Sequence, residues 1–273
     1  VINESFVSNR QPLVTMSTGD IHWGSCDPVR LFNEFQNCFI NFIEENREIG
    51  INLVVIDGDY FDKRLYASDS WYQLAVKSFV SLFNMCTKYN IQFRMLRGTI
   101  THDLNQQQIF RNFEYENSVF KFYDVTTVEE IYGNKILFVP EEYPQNMEEY
   151  YKDTIFGVPD KEYAAIFLHG TLDFQAWQCA VIESEKHYSS APVFKADDLI
   201  RICSGPVQCG HIHIEVCYKE QVRYHGSFTR TSYNEEPDKG FLLAEINTDH
   251  FETVFIKNTL APLMNTVIIN HVI

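Results

Sequence analysis

Residues 52–62 read "NLVVIDGDYFD". Leu53 to Ile56 form an unbroken apolar run closed by Asp57-Gly58-Asp59, which suits a strand buried on both faces and ended by a turn. Strands of that kind belong to parallel sheets, whose crossover helices cover both faces. The flanking sequence agrees. Upstream, "LVTMSTG" (13–19) predicts a strand that ends at Asp20, and Asp27-Pro28 supplies an N-cap followed by a helix-starting proline. Phe32, Phe35, Phe39 and Phe42 recur at helical spacing, so a helix is expected to run to about Gly50. Downstream, residues 70–88 read as an amphipathic helix and "IQFRMLRG" (91–98) as a third strand. The order β-α-β-α-β implies parallel strands joined by crossover helices.

Beyond residue 119 the strands come closer together: "VFKFYDV" (119–125), "NKILFVP" (134–140) and "YAAIFLHG" (163–170), with a helix near 195–203. The last third, "VQCGHIHIEVCYKE" (207–220), "VRYHGSF" (222–228), "KGFLLAEI" (239–246) and "FETVFIKN" (251–258), is rich in β-forming residues separated by turn signals and reads as an antiparallel sheet. No repeat or flexible linker interrupts the 273 residues. The expectation is α/β class, with residues 1–273 as a single domain of two packed mixed β-sheets flanked by helices.

Composition narrows the setting. No apolar run approaches the ~20 residues that a membrane-spanning helix needs. The seven cysteines form no C-x-x-C pair, which argues against a disulfide framework or a structural zinc site and for a reducing, cytoplasmic environment. The net charge is −15, from 22 basic and 37 acidic residues, and opposes a generally nucleic-acid-binding surface. Any DNA path must then be a local basic strip, for which Lys63, Arg64, Arg94, Arg97, Arg111 and Arg230 are candidates.

Ligands bind beyond the carboxyl ends of strands in parallel α/β sheets. Here the successive strands lead into Asp20-Ile21-His22, Gly58-Asp59, "GTITHD" (98–103), His169 and "GHIH" (210–213). On a strand, His211 and His213 would project from one face. Each of these residues alone has a local explanation as a turn or core residue; together they form a mixed carboxylate and imidazole set without thiolates. That set suits Mn²⁺, Fe²⁺ or Zn²⁺. It exceeds what one ion needs, so two ions about 3.5–4 Å apart are expected, with Asp59 as the shared anionic ligand.

The five blocks "GDIHWG" (19–24), "GDYFD" (58–62), "RGTITHD" (97–103), "FLHG" (167–170) and "GHIH" (210–213) resemble the calcineurin-like metallophosphoesterases, in order and in strand-end placement. The resemblance implies a four-layer α/β/β/α sandwich. The segment "YHGSFTRTSYNEEPDKGFLLAEI" (224–246) resembles that of SbcD-type nucleases, subunits of double-strand-break processing complexes that use manganese. Carried over by position, the resemblance implies that Asp20, His22, Asp59 and His213 hold one ion, and Asp59, His169 and His211 the other. It makes His102 the general acid or leaving-oxygen stabiliser, Asp103 the residue that orients it, and Asp62 a supporting residue. Thr101 stands in the place of the family's metal-binding Asn, with two extra residues between it and Gly98. Arg97 and Arg230 are the expected substrate contacts.

The function so implied is a metal-dependent DNA exo/endonuclease of DNA end processing, repair or recombination, with two divalent ions, Mn²⁺ first and Mg²⁺, Fe²⁺ or Zn²⁺ as alternatives. A phosphomonoesterase or cyclic-nucleotide phosphodiesterase with the same centre is the competing reading, and His102 argues against a non-catalytic scaffold. Implied partners are DNA and an SbcC-like ABC-type ATPase, with a homodimer as another assembly. The family's capping and ATPase-binding regions are expected to be absent, and the apolar stretch 260–273 is expected either to pack as a strand or to dock on such a partner.

Overall fold

A computed structural model describes residues 11–175, 192–232 and 235–263. Strand β1 (Leu13–Thr18), β2 (Leu53–Ile56), β3 (Gln92–Leu96) and β4 (Phe120–Tyr123) run parallel in that order. Helix α1 (Pro28–Glu34) starts where Asp27 accepts the Arg30 amide at 2.7 Å, and passes through a π-helical turn at Phe35–Ile40 into α2 (Asn41–Glu45). It stops near Gly50, whose φ of 74° is the left-handed conformation of a helix C-terminus. Helix α3 (Ser70–Tyr89) forms the next crossover, α4 (Ile100–Asp103) is a single turn after β3, and α5 (Met147–Tyr151) and α6 (Ala196–Ile202) lie farther on.

The second sheet holds β5 (Thr127–Ile131), β6 (Asn134–Val139), β7 (Ala165–His169), β10 (Val207–Gly210), β11 (Glu215–Tyr218) and β12 (Val222–His225), in the order β11-β12-β10-β7-β6-β5. The short strands β8 (Thr171–Leu172) and β9 (Val193–Phe194) pair with each other. The last third is therefore not one antiparallel sheet. β13 (Gly240–Ile246) and β14 (Phe251–Lys257) cross to the first sheet, giving the order β14-β13-β1-β2-β3-β4, while β10 pairs parallel with β7 and with β12. Strand β5 lies between the strands that the sequence pattern marks at 119–125 and 134–140. It forms a hairpin with β6 through Tyr132-Gly133, both at positive φ (51° and 76°).

Alternation along the central strands sorts side chains into layers. Leu53 and Val55 meet Ile136, Phe138, Ala165 and Phe167 between the sheets. Val54 and Ile56 face the helices with Phe35, Phe39, Phe79 and Leu82, and Leu137, Ile166 and Leu168 pack on the other side against Ala196, Leu199 and Ile202. The result is the expected α/β/β/α sandwich. Because β1, β2, β3, β6, β7, β10 and β12 share a direction through their parallel pairings within each sheet, their carboxyl ends gather along one edge per sheet. Of the terminal stretch, Leu260 and Leu263 are exposed and residues 264–273 lie outside the described residues, as does the docking expected of them. No helix among the described residues is long and apolar enough to cross a membrane.

The sheets are also joined by an ion pair whose arginine is buried. Arg94 of β3, only 2% exposed, donates to Glu129 of β5 at 2.6 and 3.0 Å. Arg94 is thus a structural cation rather than part of a DNA path. Removing one partner of such a pair leaves a buried charge uncompensated, so Glu129→Ala should destabilise the protein by about 3 kcal/mol. Burial opposes ionisation of Glu129, but Arg94 overcomes it and holds the carboxyl at about 2, below its usual 4.5. The contribution is then full above about pH 4.5 and lost as pH falls through about 2. Urea melts of both proteins at pH 7 and pH 3 check the size and the sign: the gap between them should narrow in acid.

Candidate metal centre

The candidate ligands sit at or just beyond strand ends, in loops that turn sharply inward. Asp20 (φ 47°), His22 (φ 53°), Asp59 (φ 45°) and His211 (φ 95°) all occupy the positive-φ region that non-glycine residues rarely adopt. Such conformations persist where surrounding contacts over-determine them, and they cluster at functional sites. The contacts here are backbone hydrogen bonds: the Asp20 amide donates to the Gly58 carbonyl (3.1 Å) and the His22 amide to the Asp59 carbonyl (3.0 Å). Two glycines make room. A Cβ on Gly58 would lie 2.3 Å from His169 Nδ1, and one on Gly98 would lie 2.1 Å from the Asp59 nitrogen.

Among the described residues three groups result: Asp20, His22 and His213; His22, Asp62 and His102, which shares His22 with the first; and Asp59, His169 and His211. His22 Nε2 and His213 Nε2 are 2.9 Å apart. Asp59 Oδ2 lies 3.8 Å from His22 Nε2 and 3.4 Å from His169 Nε2, so one carboxylate faces the imidazoles of two groups. Atoms binding a common ion at ~2.0–2.2 Å can be at most about 4.4 Å apart, and these separations satisfy that limit. His169 spends Nδ1 on the Asp57 carbonyl at 2.5 Å, which leaves Nε2 for the centre.

Charge at the centre favours a cation. Burial opposes ionisation of Asp59, yet the charge and hydrogen bond of His169, with His22 and His102, hold its carboxyl well below the usual range. Burial also opposes protonation of His22, but Asp62, Asp59 and Asp20 raise it to about 9. His169 is likewise raised against burial, chiefly by Asp59. His211 goes the other way, pushed down to about 4 by burial and by His169, so its imidazole is neutral at pH 7. The buried carboxylates attract positive charge, and a donor set of carboxylates and imidazoles fits divalent ions better than protons shared among histidines.

His211 and His213 are not on a strand. β10 ends at Gly210, and the turn at His211 sends the two imidazoles to different groups. Thr101 does not reach the centre either: it is exposed on α4. Thr99, directly after Gly98, takes that place. Its amide donates to Asp59 Oδ1 at 2.6 Å, and its hydroxyl lies 3.4 Å from both His169 Nε2 and His211 Nδ1. Counting back from His102 selects Thr101, whereas counting forward from Gly98 finds Thr99.

Asp103 does not contact His102. Its carboxylate accepts the Phe61 amide (2.9 Å) and the Gly98 amide (2.8 Å), tying the loops after β2 and β3 together. Asp62 is the neighbour of His102, whose Nδ1 meets the Asp62 carbonyl at 3.1 Å. Arg97 is half-buried and donates to the Glu141 carbonyl at 2.9 Å. Arg230 is 2% exposed and bonds the carbonyls of Glu235, Glu236 and Pro237 at 2.8, 3.0 and 2.8 Å, so it is committed to its own loop.

That loop serves His213. Glu235 meets His213 Nδ1 at 3.4 Å, and the fully buried Lys239 bonds the His213 carbonyl (2.7 Å), Ser227 Oγ (2.7 Å) and Glu235 (2.9 Å). Farther in, His225 Nε2 lies 3.4 Å from Asp57 Oδ2, both fully buried. Sequence reasoning missed Thr99, Glu141, Glu235 and His225, although the spacing of Ser227, Glu235 and Lys239 was visible. Glu235→Gln should lower divalent-ion affinity ~10-fold, at the low end for residues that orient a ligand; calorimetric titration with Mn²⁺ measures it.

A family model described as calcineurin-like phosphoesterase matches residues 14–215. One solved crystal structure superposes with a TM-score of 0.51 at 9% identity, over 90% of this chain and 99% of that one. Weaker matches with the same coverage are TT1561 of Thermus thermophilus (10% identity, TM-score 0.45) and a dimetal phosphatase from Danio rerio (11% identity, TM-score 0.39). No curated protein sequence matches significantly.

Proposed function

The chain belongs to the calcineurin-like phosphoesterase family, which indicates metal-dependent hydrolysis of phosphoesters, and from that premise we propose that it is a DNA nuclease of SbcD type using two divalent ions, Mn²⁺ by preference. The observation that carries the two-ion reading is the position of Asp59 between the His22 and His169 imidazoles. Asp20, His22 and His213 would hold one ion and His169 and His211 the other, with Asp59 common to both. When bound, such a pair neutralises the phosphate and supplies an activated water.

The chain's own residues do the rest. His22 and His169 are 2% and 0% exposed, whereas the His102 and His213 side chains are 38% and 30% exposed. The centre therefore opens to the surface on the His102 and His213 side, which suits a polymeric substrate laid across it. Lys63, Arg64 and Tyr66 are exposed on the loop that carries Asp62. They offer two cations and a stacking surface for a nucleic-acid backbone and base. His102, bonded through Nδ1 to the Asp62 carbonyl, has Nε2 for proton transfer to the leaving oxygen.

A small-substrate phosphoesterase stays as the second reading, because Arg230 is committed to its own loop and the net charge is −15. Hydrolysis of labelled single- and double-stranded DNA and of a chromogenic phosphodiester, with and without Mn²⁺, separates the two. Cleavage of DNA supports the nuclease; turnover of the small ester alone favours the alternative. His102→Ala should lower turnover ~10²–10⁴-fold with Mn²⁺ binding nearly unchanged, measured by kinetics beside a metal titration.

A further inference from the structure

Past the end of β6, Pro140 leads into Glu141, a side chain only 1% exposed. Its backbone is held on both sides: the amide donates to the Arg97 carbonyl at 3.2 Å, and the Arg97 guanidinium returns to the Glu141 carbonyl at 2.9 Å. The two carboxylate oxygens have different surroundings. Oε1 accepts the Tyr143 hydroxyl. Oε2 lies 3.7 Å from His211 Nδ1, 3.9 Å from His169 Nε2 and 3.2 Å from the Thr99 hydroxyl. Two members of the Asp59 group thus lie within the span that ligands of one ion allow, about 4.4 Å.

We propose that Glu141 is a metal ligand of the second ion, supplying the oxygen that the family's Asn provides elsewhere and that Thr99 cannot match. This rests on the two-ion reading above. Three features carry it. Thr99 fills the loop position of the missing amide, and a neutral hydroxyl is the poorer donor. Glu141 arrives from a different strand end at the same pair of imidazoles. A buried carboxylate facing imidazoles that must be neutral to bind metal is stabilised by a cation between them. The exchange also changes the charge of the set: Asp59, Glu141, His169 and His211 carry two formal negative charges, where an amide in place of Glu141 would leave one. An added carboxylate oxygen moves preference toward the harder ions, Mn²⁺ and Mg²⁺.

Calorimetric titration of wild type and Glu141→Leu with Mn²⁺ tests this, with thermal melts of the metal-free proteins run alongside. Wild type should bind two ions. The leucine variant, which keeps roughly the size of the side chain but offers no oxygen, should lose at least about 100-fold at one binding step and leave the other unchanged, beyond the ~10–100-fold typical of a residue that only orients a ligand. A smaller loss, or an equal loss at both steps, would mean that Glu141 positions Thr99 or His211 without binding, and would overturn the proposal. Wild type that binds no ion would overturn the two-ion reading as well, whereas two ions with an unaffected variant would overturn this proposal alone. Should the variant not fold, manganese-soaked wild-type crystals decide: Oε2 about 2.1 Å from an ion supports the assignment, and a separation beyond about 3 Å refutes it.

Discussion

The Asp59 carboxylate, 2% exposed and held ionised where the two sheets converge, is the constraint on which the rest of the arrangement depends. An ionised carboxylate out of water needs compensating charge and hydrogen bonds. Here the Thr99 amide comes from the end of β3, His169 from β7 and His22 from the loop after β1. Those partners belong to both sheets, so satisfying one side chain fixes how the strand ends of the sandwich meet. The close approaches at Gly58 and Gly98 and the left-handed backbone at Asp20, His22, Asp59 and His211 follow from that convergence.

Around this centre lies a set of residues that hold the candidate ligands in place. Glu235 and Lys239 fix His213, Asp57 fixes His169, and Asp103 ties the loops that carry Asp59 and Thr99. Within the segment 224–246, Ser227, Glu235 and Lys239 are therefore explained by what they do to His213. The residue they support is a candidate metal ligand, and Arg230 within the segment is a loop clamp. On the proposed function, substrate would lie against the surface near His102, where the partly exposed imidazole stands beside the exposed Lys63, Arg64 and Tyr66.

Much of this was legible from residue order. The run Leu53–Ile56 announced a strand buried on both faces, and Asp20, Asp59 and His169 could be placed at strand ends because apolar periodicity stops there. The strands after residue 206 were harder. Alternating apolar residues fix that a segment is a strand, but which sheet receives it depends on distant partners: β13 pairs with β1, more than two hundred residues away in the chain. His211 and His213 look like neighbours on a strand face because the sequence carries no mark of the turn at His211. Glu141 was invisible for a similar reason, since a Pro-Glu pair after a strand reads as an ordinary loop until β6 is seen beside β7.

Electron paramagnetic resonance of the metal-free protein titrated with Mn²⁺ tests the central claim most directly. If Asp59 joins two ions about 3.5–4 Å apart, the spectrum at two equivalents is that of a magnetically coupled pair, and Asp59→Ala removes the coupling. A spectrum of isolated Mn²⁺ at two equivalents, or one unchanged in Asp59→Ala, would contradict a centre built on that carboxylate.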